Sequence, residues 1–173
     1  KSPASQAKPL IRFQDDNFGA TFSHSDVLST TYNPHGGADV VLIHFEGKPI
    51  GGLKIGSRPP AGSERDFLEA GKEYYRDRYS ATVTYEFVTN PKGYGFHHLT
   101  AKSTAGKKPF VIERYVYLRD KSSASPDTQP EKAVLDAMSG SFSFEFVVAD
   151  EAKDRLAGEL RTVIDTFEIV PKP

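Results

Sequence analysis

The chain has 173 residues, enough for one domain with a real core and too few for two comfortable ones. A net charge of -1, with 26% charged residues, gives no reason to expect nucleic acid or an acidic membrane as the main partner. Cysteine is absent, which excludes disulfides, thiolate catalysis and cysteine zinc sites but decides no compartment.

The opening stretch, Lys1-Ser-Pro-Ala-Ser-Gln-Ala-Lys-Pro9, has the composition of a flexible tether, expected over residues 1–12. It begins without methionine and resembles the segment that follows an export signal or a lipid anchor. The expectation is therefore an extracytoplasmic protein (periplasmic, thylakoid-lumen-like or lipid-anchored) with a possible membrane tether through a removed N-terminal segment; a cropped cytosolic chain is the alternative. No apolar run approaches the length of a membrane span.

Residues 13–173 read as a single domain with a loop insertion at 120–140. Phe18, Ala20 and Phe22 alternate with Gly19, Thr21 and Ser23, the period of a half-buried strand, and Val27 to Tyr32 predicts a short second one. Asn33-Pro-His-Gly-Gly37 is a turn by its chemistry. The nearly continuous apolar run Val40 to Phe45 predicts a strand covered on both faces, and Glu46-Gly-Lys-Pro49 folds it into a hairpin with Ile50 to Ile55. After Ser57-Arg-Pro-Pro-Ala-Gly62, Ser63 opens a helix, with Asp66 in the capping-box position. Phe67, Leu68, Tyr74 and Tyr75 form its predicted buried stripe. Gly71 in that stripe lowers helix propensity, which predicts close approach of the helix backbone to the sheet.

From Ala81 the pattern returns to period two. Ala81, Val83, Tyr85 and Phe87 share a face, Asn90-Pro-Lys-Gly93 turns, and Tyr94 to Lys102 and Pro109 to Arg119 are the next strands. Within 120–140, Lys121 to Asp127 predicts a mobile arm. Thr128-Gln-Pro-Glu131 fits a capping box ahead of a short apolar stripe of Ala133, Val134, Ala137 and Met138. Phe142, Phe144, Phe146 and Val148 then form the clearest strand pattern in the chain. A terminal helix follows, with Asp150 as its predicted N-cap and Leu156, Leu160, Val163, Ile164 and Phe167 as its buried stripe. Hairpins dominate and helices are few, so the fold class is α+β, a mainly antiparallel sheet with helices packed on it.

Two stretches and this order of elements resemble the PsbP-like fold family, an α/β/α sandwich. Asp15-Asp-Asn-Phe-Gly-Ala-Thr-Phe22 is similar to the family's opening, and Val163-Ile-Asp-Thr-Phe-Glu-Ile169 to its helix-to-strand closing motif. The family includes extrinsic subunits of photosystem II, a nuclear-transport factor that binds the GTPase Ran, and bacterial envelope lipoproteins. Many relatives follow the first strand with proline and tryptophan, whereas Ser23-His-Ser-Asp-Val-Leu28 has neither. Both matching stretches are packing motifs, so the resemblance implies the fold and an accessory role, and transfers neither a photosystem role nor Ran binding.

No serine-nucleophile elbow, phosphate loop or dinucleotide fingerprint occurs. His97 and His98 are adjacent in a strand and point to opposite faces, so they do not clamp one metal together. His44 reads as a satisfied core residue. His35 and Asp39 flank a turn without a third ligand, and Glu86 and Glu113 occupy polar strand positions. No cofactor or metal is expected. Lys107, Lys108, Arg119 and Lys121 read as scattered solvated charges, with no nucleic-acid partner.

Arg114 interrupts the apolar row of Phe110, Ile112, Val116 and Leu118. It is either an internal ion pair or snorkelling side chain, or an anchor for an anionic ligand at a pocket mouth. Tyr115 and Tyr117 form an aromatic platform for a partner unless a helix covers them. Val134 and Met138 either fill the sheet edge or dock a partner. Together these features predict a non-catalytic binding or accessory module of the cell envelope, with a protein as the expected partner. A small-ligand or lipid carrier and a hydrolase without a recognisable motif are the alternatives.

Overall fold

The computed structural model describes residues 8–33, 39–60, 62–119 and 140–170. The expected turn at 33–37 falls outside them from residue 34, and the expected insertion at 120–140 falls outside them up to residue 139. The described chain runs β1 (Ile11–Gln14), β2 (Ala20–His24), β3 (Leu28–Tyr32), β4 (Val41–Phe45), β5 (Lys48–Gly56), α1 (Glu64–Tyr79), β6 (Thr82–Thr89), β7 (Gly95–Ser103), β8 (Phe110–Leu118) and β9 (Ser141–Ala149). A 3-10 turn (Asp150–Ala152), α2 (Lys153–Asp165) and β10 (Glu168–Ile169) complete it. A seven-stranded sheet has the order β3-β4-β5-β9-β8-β7-β6, and a three-stranded sheet the order β1-β2-β10. Every pairing among the described residues is antiparallel, and the fold is α+β as expected.

The period-two pattern of β9 decides which face becomes the main core. Phe142, Phe144 and Phe146 are 0% exposed, and register places Tyr117 and Tyr115 of β8 beside Phe142 and Phe144. α2 lays Leu156, Leu160, Val163 and Ile164 over this row, and the small sheet adds Ala20 and Phe22. Phe167, just past the helix, meets the rings of Tyr94, Phe96, Tyr117, Phe142 and Phe144. On the other face Tyr75 of α1 packs with Leu99, Ala101 and Ile112.

The two stretches that carried the family resemblance meet in space. Thr21 and Ala20 pair with Glu168 and Ile169, and the Val170 N–H donates to the Gly19 carbonyl at 2.7 Å. Gly19 has φ +77°, and a Cβ there would stand 2.3 Å from the Val170 carbonyl oxygen. Asp15, fully buried, accepts from the Asn17 and Phe18 N–H groups at 3.0 and 2.8 Å and from the Tyr32 hydroxyl at 2.8 Å.

Several local expectations are corrected. The tether expected over 1–12 gives way at β1, where Ile11 and Arg12 pair with His24 and Ser23 of β2. β4 is buried on one face only: Val41 and Ile43 are inside, while Leu42 and His44 are half-buried because α1 packs on β6 and β7 at the far side of the sheet. His44 therefore makes a partly exposed contact with Thr31 Oγ1 at 3.2 Å. Ser63 makes no capping bond; its hydroxyl donates to the Pro60 carbonyl at 2.6 Å. Asp150 opens the 3-10 turn and accepts from Lys153 Nζ at 3.0 Å, so it does not cap α2. Tyr74 is 56% exposed, one helical step off the face that Tyr75 buries.

Gly71 is buried where α1 meets the sheet, and a Cβ there would stand 3.1 Å from Arg114 Nη1 and 3.4 Å from Leu99 Cδ1. Gly71→Leu is expected to overpack this contact and destabilise by about 1–3 kcal/mol in chemical denaturation. An unchanged or raised midpoint would place the helix contact elsewhere.

Candidate functional site

Between α1 and strands β5, β9 and β8 lies a cleft of about 530 Å³. Its floor is made by two register rows on the α1 face of the sheet, Lys54–Ser143–Val116 and Glu145–Arg114. α1 supplies Phe67, Tyr74 and Tyr75 as one wall, and Ile55, Gly56 and Ser141 complete the lining. Two cations and one carboxylate among these residues leave the cleft a single positive charge.

Arg114 sits centrally because period two turns it away from the phenylalanine face and toward the helix. Its Nε donates to Ser143 Oγ at 3.3 Å, and its guanidinium carbon stands 5.4 Å from the centre of the Phe67 ring, a cation–π contact. The Tyr75 hydroxyl donates to Glu145 Oε2 and also interacts with Arg114. Burial, then the Glu145 hydrogen bond, raise the Tyr75 pKa above its usual value, so the phenol stays a donor. Among the described residues no carboxylate lies within ion-pairing distance of Arg114, because its cross-strand neighbour Glu145 turns to Tyr75. The internal ion pair weighed for Arg114 is absent among the described residues; the guanidinium is held by a hydroxyl and an aromatic face at the edge of an open cleft.

The aromatic platform expected at Tyr115 and Tyr117 is closed. Tyr115 is 7% exposed, and Tyr117 packs among Tyr94, Phe96, Phe142 and Phe167, because α2 and the chain's end lie over that face. Val134, Met138 and His35 lie outside the described residues.

The adjacent histidines do diverge to opposite faces, with opposite electrostatic results. His97 lies on the α1 face beside the Tyr85 hydroxyl at 2.8 Å, and burial lowers its pKa. His98 stacks on Tyr115, with ring centres 4.0 Å apart. Its Nδ1 meets Glu86 Oε1 at 2.9 Å, its Nε2 meets Glu113 Oε2, and Thr100 Oγ1 donates to that same oxygen at 3.0 Å. Burial favours the neutral ring, but hydrogen bonds and charge from Glu113 and Glu86 outweigh it and raise the pKa. Arg161 and Asp165 of α2 add opposing charges near Tyr115 on this face. Sequence spacing missed this cluster, since residues 86, 98 and 113 align only through the registers of two hairpins. Among the described residues no group of three or more histidines and carboxylates is placed to hold a metal ion.

No family model and no curated protein matches the chain. The solution structure of cyanobacterial PsbP (CyanoP) from Synechocystis sp. PCC 6803 is similar over 98% of both chains, with a TM-score of 0.55 and 12% identity. The chain has a PsbP-like fold. This match fixes the architecture of the PsbP-like sandwich and transfers no residue role, so the cleft and the His98 cluster stand on their own geometry. Among the described residues no helix is long and apolar enough to cross a membrane.

The raised His98 pKa gives a signed expectation. Its stabilising contribution is fully present below the ordinary histidine value of 6.5 and is lost as pH rises through the higher folded value. Urea midpoints of the wild type, compared with His98→Gln, are expected to fall more steeply as pH rises above the ordinary histidine value of 6.5. Equal slopes would show that Glu86 and Glu113 do not hold a proton on this ring.

Proposed function

We propose that the protein is a non-catalytic binding or accessory module of the cell envelope, and that it binds an anionic group in the cleft around Arg114. The observation that carries this reading is a half-buried guanidinium facing an open cleft, with no described carboxylate paired to it. Withdrawing a cation partly from water without a counter-charge is unfavourable by several kcal/mol when burial is complete, and an incoming anion offsets that penalty. Ser143 and the Phe67 ring hold the fork in place beforehand, so little ordering accompanies binding.

The PsbP-like fold supports the accessory role through the resemblance already drawn to extrinsic and envelope proteins, and a protein remains the expected partner. The extracytoplasmic placement rests on that resemblance. A small-ligand carrier is the second reading, favoured by a cleft whose volume lies in the range of small-molecule sites. A hydrolase gains no support from the cleft: among the described residues no histidine lines it, and Ser143 Oγ accepts from Arg114 rather than facing a base.

Amide and arginine side-chain NMR spectra titrated with acetate and with phosphate test the anchor. Saturable shifts are expected at Gly71, Ser143 and Arg114 Nε, and Arg114→Met is expected to abolish them at Gly71 and Ser143 while retaining cooperative unfolding. Destabilisation with anion binding intact would instead assign Arg114 a structural role. No saturable shift in the wild type sinks the anchor.

A further inference from the structure

We infer that the group taken by this cleft is a singly charged carboxylate carried on an apolar body, an inference that rests on the anion-binding reading of Arg114. Three features of the cleft select that chemistry. The first is charge. Arg114 and Lys54 are its cations and Glu145 its anion, so one negative charge balances the cleft and a second meets Glu145. A phosphate dianion is mismatched there, whereas a carboxylate is not.

The second is the shape of the donor. A guanidinium is a planar fork that matches the two oxygens of a carboxylate, and Arg114 keeps donors that no described carboxylate takes. Lys54 lies one strand beyond Ser143 in the same row, exposed and unpaired among the described residues, where it reinforces the same end of the cleft. The third is the remaining lining. Phe67 and Tyr74 on the helix side present carbon surface next to the charged end, over Val116 in the floor. Tyr74 is a large aromatic left 56% exposed at this cleft, and its ring edge-on to Tyr75 makes a ready apolar wall. A ligand with charge alone leaves that surface wet; a ligand with a hydrocarbon or aryl body covers it.

Calorimetric titration of the full chain with butyrate, hexanoate and octanoate, against octanol and octyl phosphate, tests this. Each added methylene is expected to tighten carboxylate binding about two- to fourfold. Octanoate is expected to bind at least tenfold more tightly than octanol. Arg114→Met is expected to erase that tenfold preference, and Tyr74→Ala, a site 56% exposed at the cleft, to flatten the chain-length series. Should Arg114→Met fail to fold, the wild-type series and Tyr74→Ala decide alone. Equal binding of octanol and octanoate, or tighter binding of octyl phosphate, overturns the inference. Acetate and phosphate binding without any chain-length dependence also overturns it while leaving the Arg114 anchor standing, whereas silence from every probe removes both. A further arm compares octanoate with N-acetyl-Leu-Phe and its amide. Preference for octanoate assigns a free acid and preference for the peptide acid assigns a chain terminus, and both support the carboxylate; equal binding of peptide acid and amide, with octanoate silent, counts against it.

Discussion

The phenylalanine row of β9 is the constraint from which the rest of the architecture follows. Phe142, Phe144 and Phe146 are fully buried, yet a sheet on its own buries only the edges of its side chains. The cover comes from the two ends of the chain: β2 with the turn before it, and α2 with the residues that follow it. The cover has to be tied down, and its ties are polar. Asn90, 4% exposed, donates from Nδ2 to the carbonyls of Ile164 and Phe167 at 2.9 Å each, so the turn between β6 and β7 closes the C-terminal end of α2. Thr166 Oγ1 accepts from the Ser23 N–H at 2.7 Å and fixes the same helix end to β2. Carbonyls at a helix end need partners, and here Asn90 supplies them from a turn of the sheet that the helix must stay on.

This use of one face leaves the other free for binding. The α2 face is closed by aromatic rings packed from several directions, which is why Tyr115 is buried and Tyr117 half-buried among them. The α1 face is covered over β6 and β7, and the half of the sheet made by β5 and β9 keeps polar side chains and a cleft. His97 and His98 record the same asymmetry within two residues, one ring held neutral by burial and the other held between carboxylates.

Much of this was legible in the sequence wherever one element carried its own period. The alternation in β9, the stripe of α2 and the glycine in α1 each specified a face, and each face is found buried. The opening and closing motifs were legible as a pair because they pack against one another, so they carry information about the fold rather than the site. What escaped was set by partners. β1 is four residues long, with no pattern of its own, and exists because β2 needs a neighbour on the side away from β10. Ser63 had the right chemistry for a cap, but the Pro60 carbonyl takes its hydroxyl. Arg114 was visible as a charge in an apolar row; that Glu145 would turn to Tyr75 was not, because it depends on where the helix sets a phenol above the sheet. The His98 cluster depends on two hairpin registers, which no local spacing encodes.

Gly71 joins the fold to the candidate site. The same missing side chain that lets α1 approach Leu99 also lets the helix backbone lie against Arg114. The guanidinium is thereby pressed between the helix, the Phe67 ring and Ser143, and loses the freedom that usually lets a long cation find its own counter-ion. The charge is kept at the cleft by packing rather than by pairing. Helix docking and the proposed anion capture thus share one contact, yet they draw on it differently: docking needs the absence of a Cβ, whereas the proposed capture needs the guanidinium. That separation is what allows the site's chemistry to change at Arg114 while the phenylalanine core, on the other face, is left as it is.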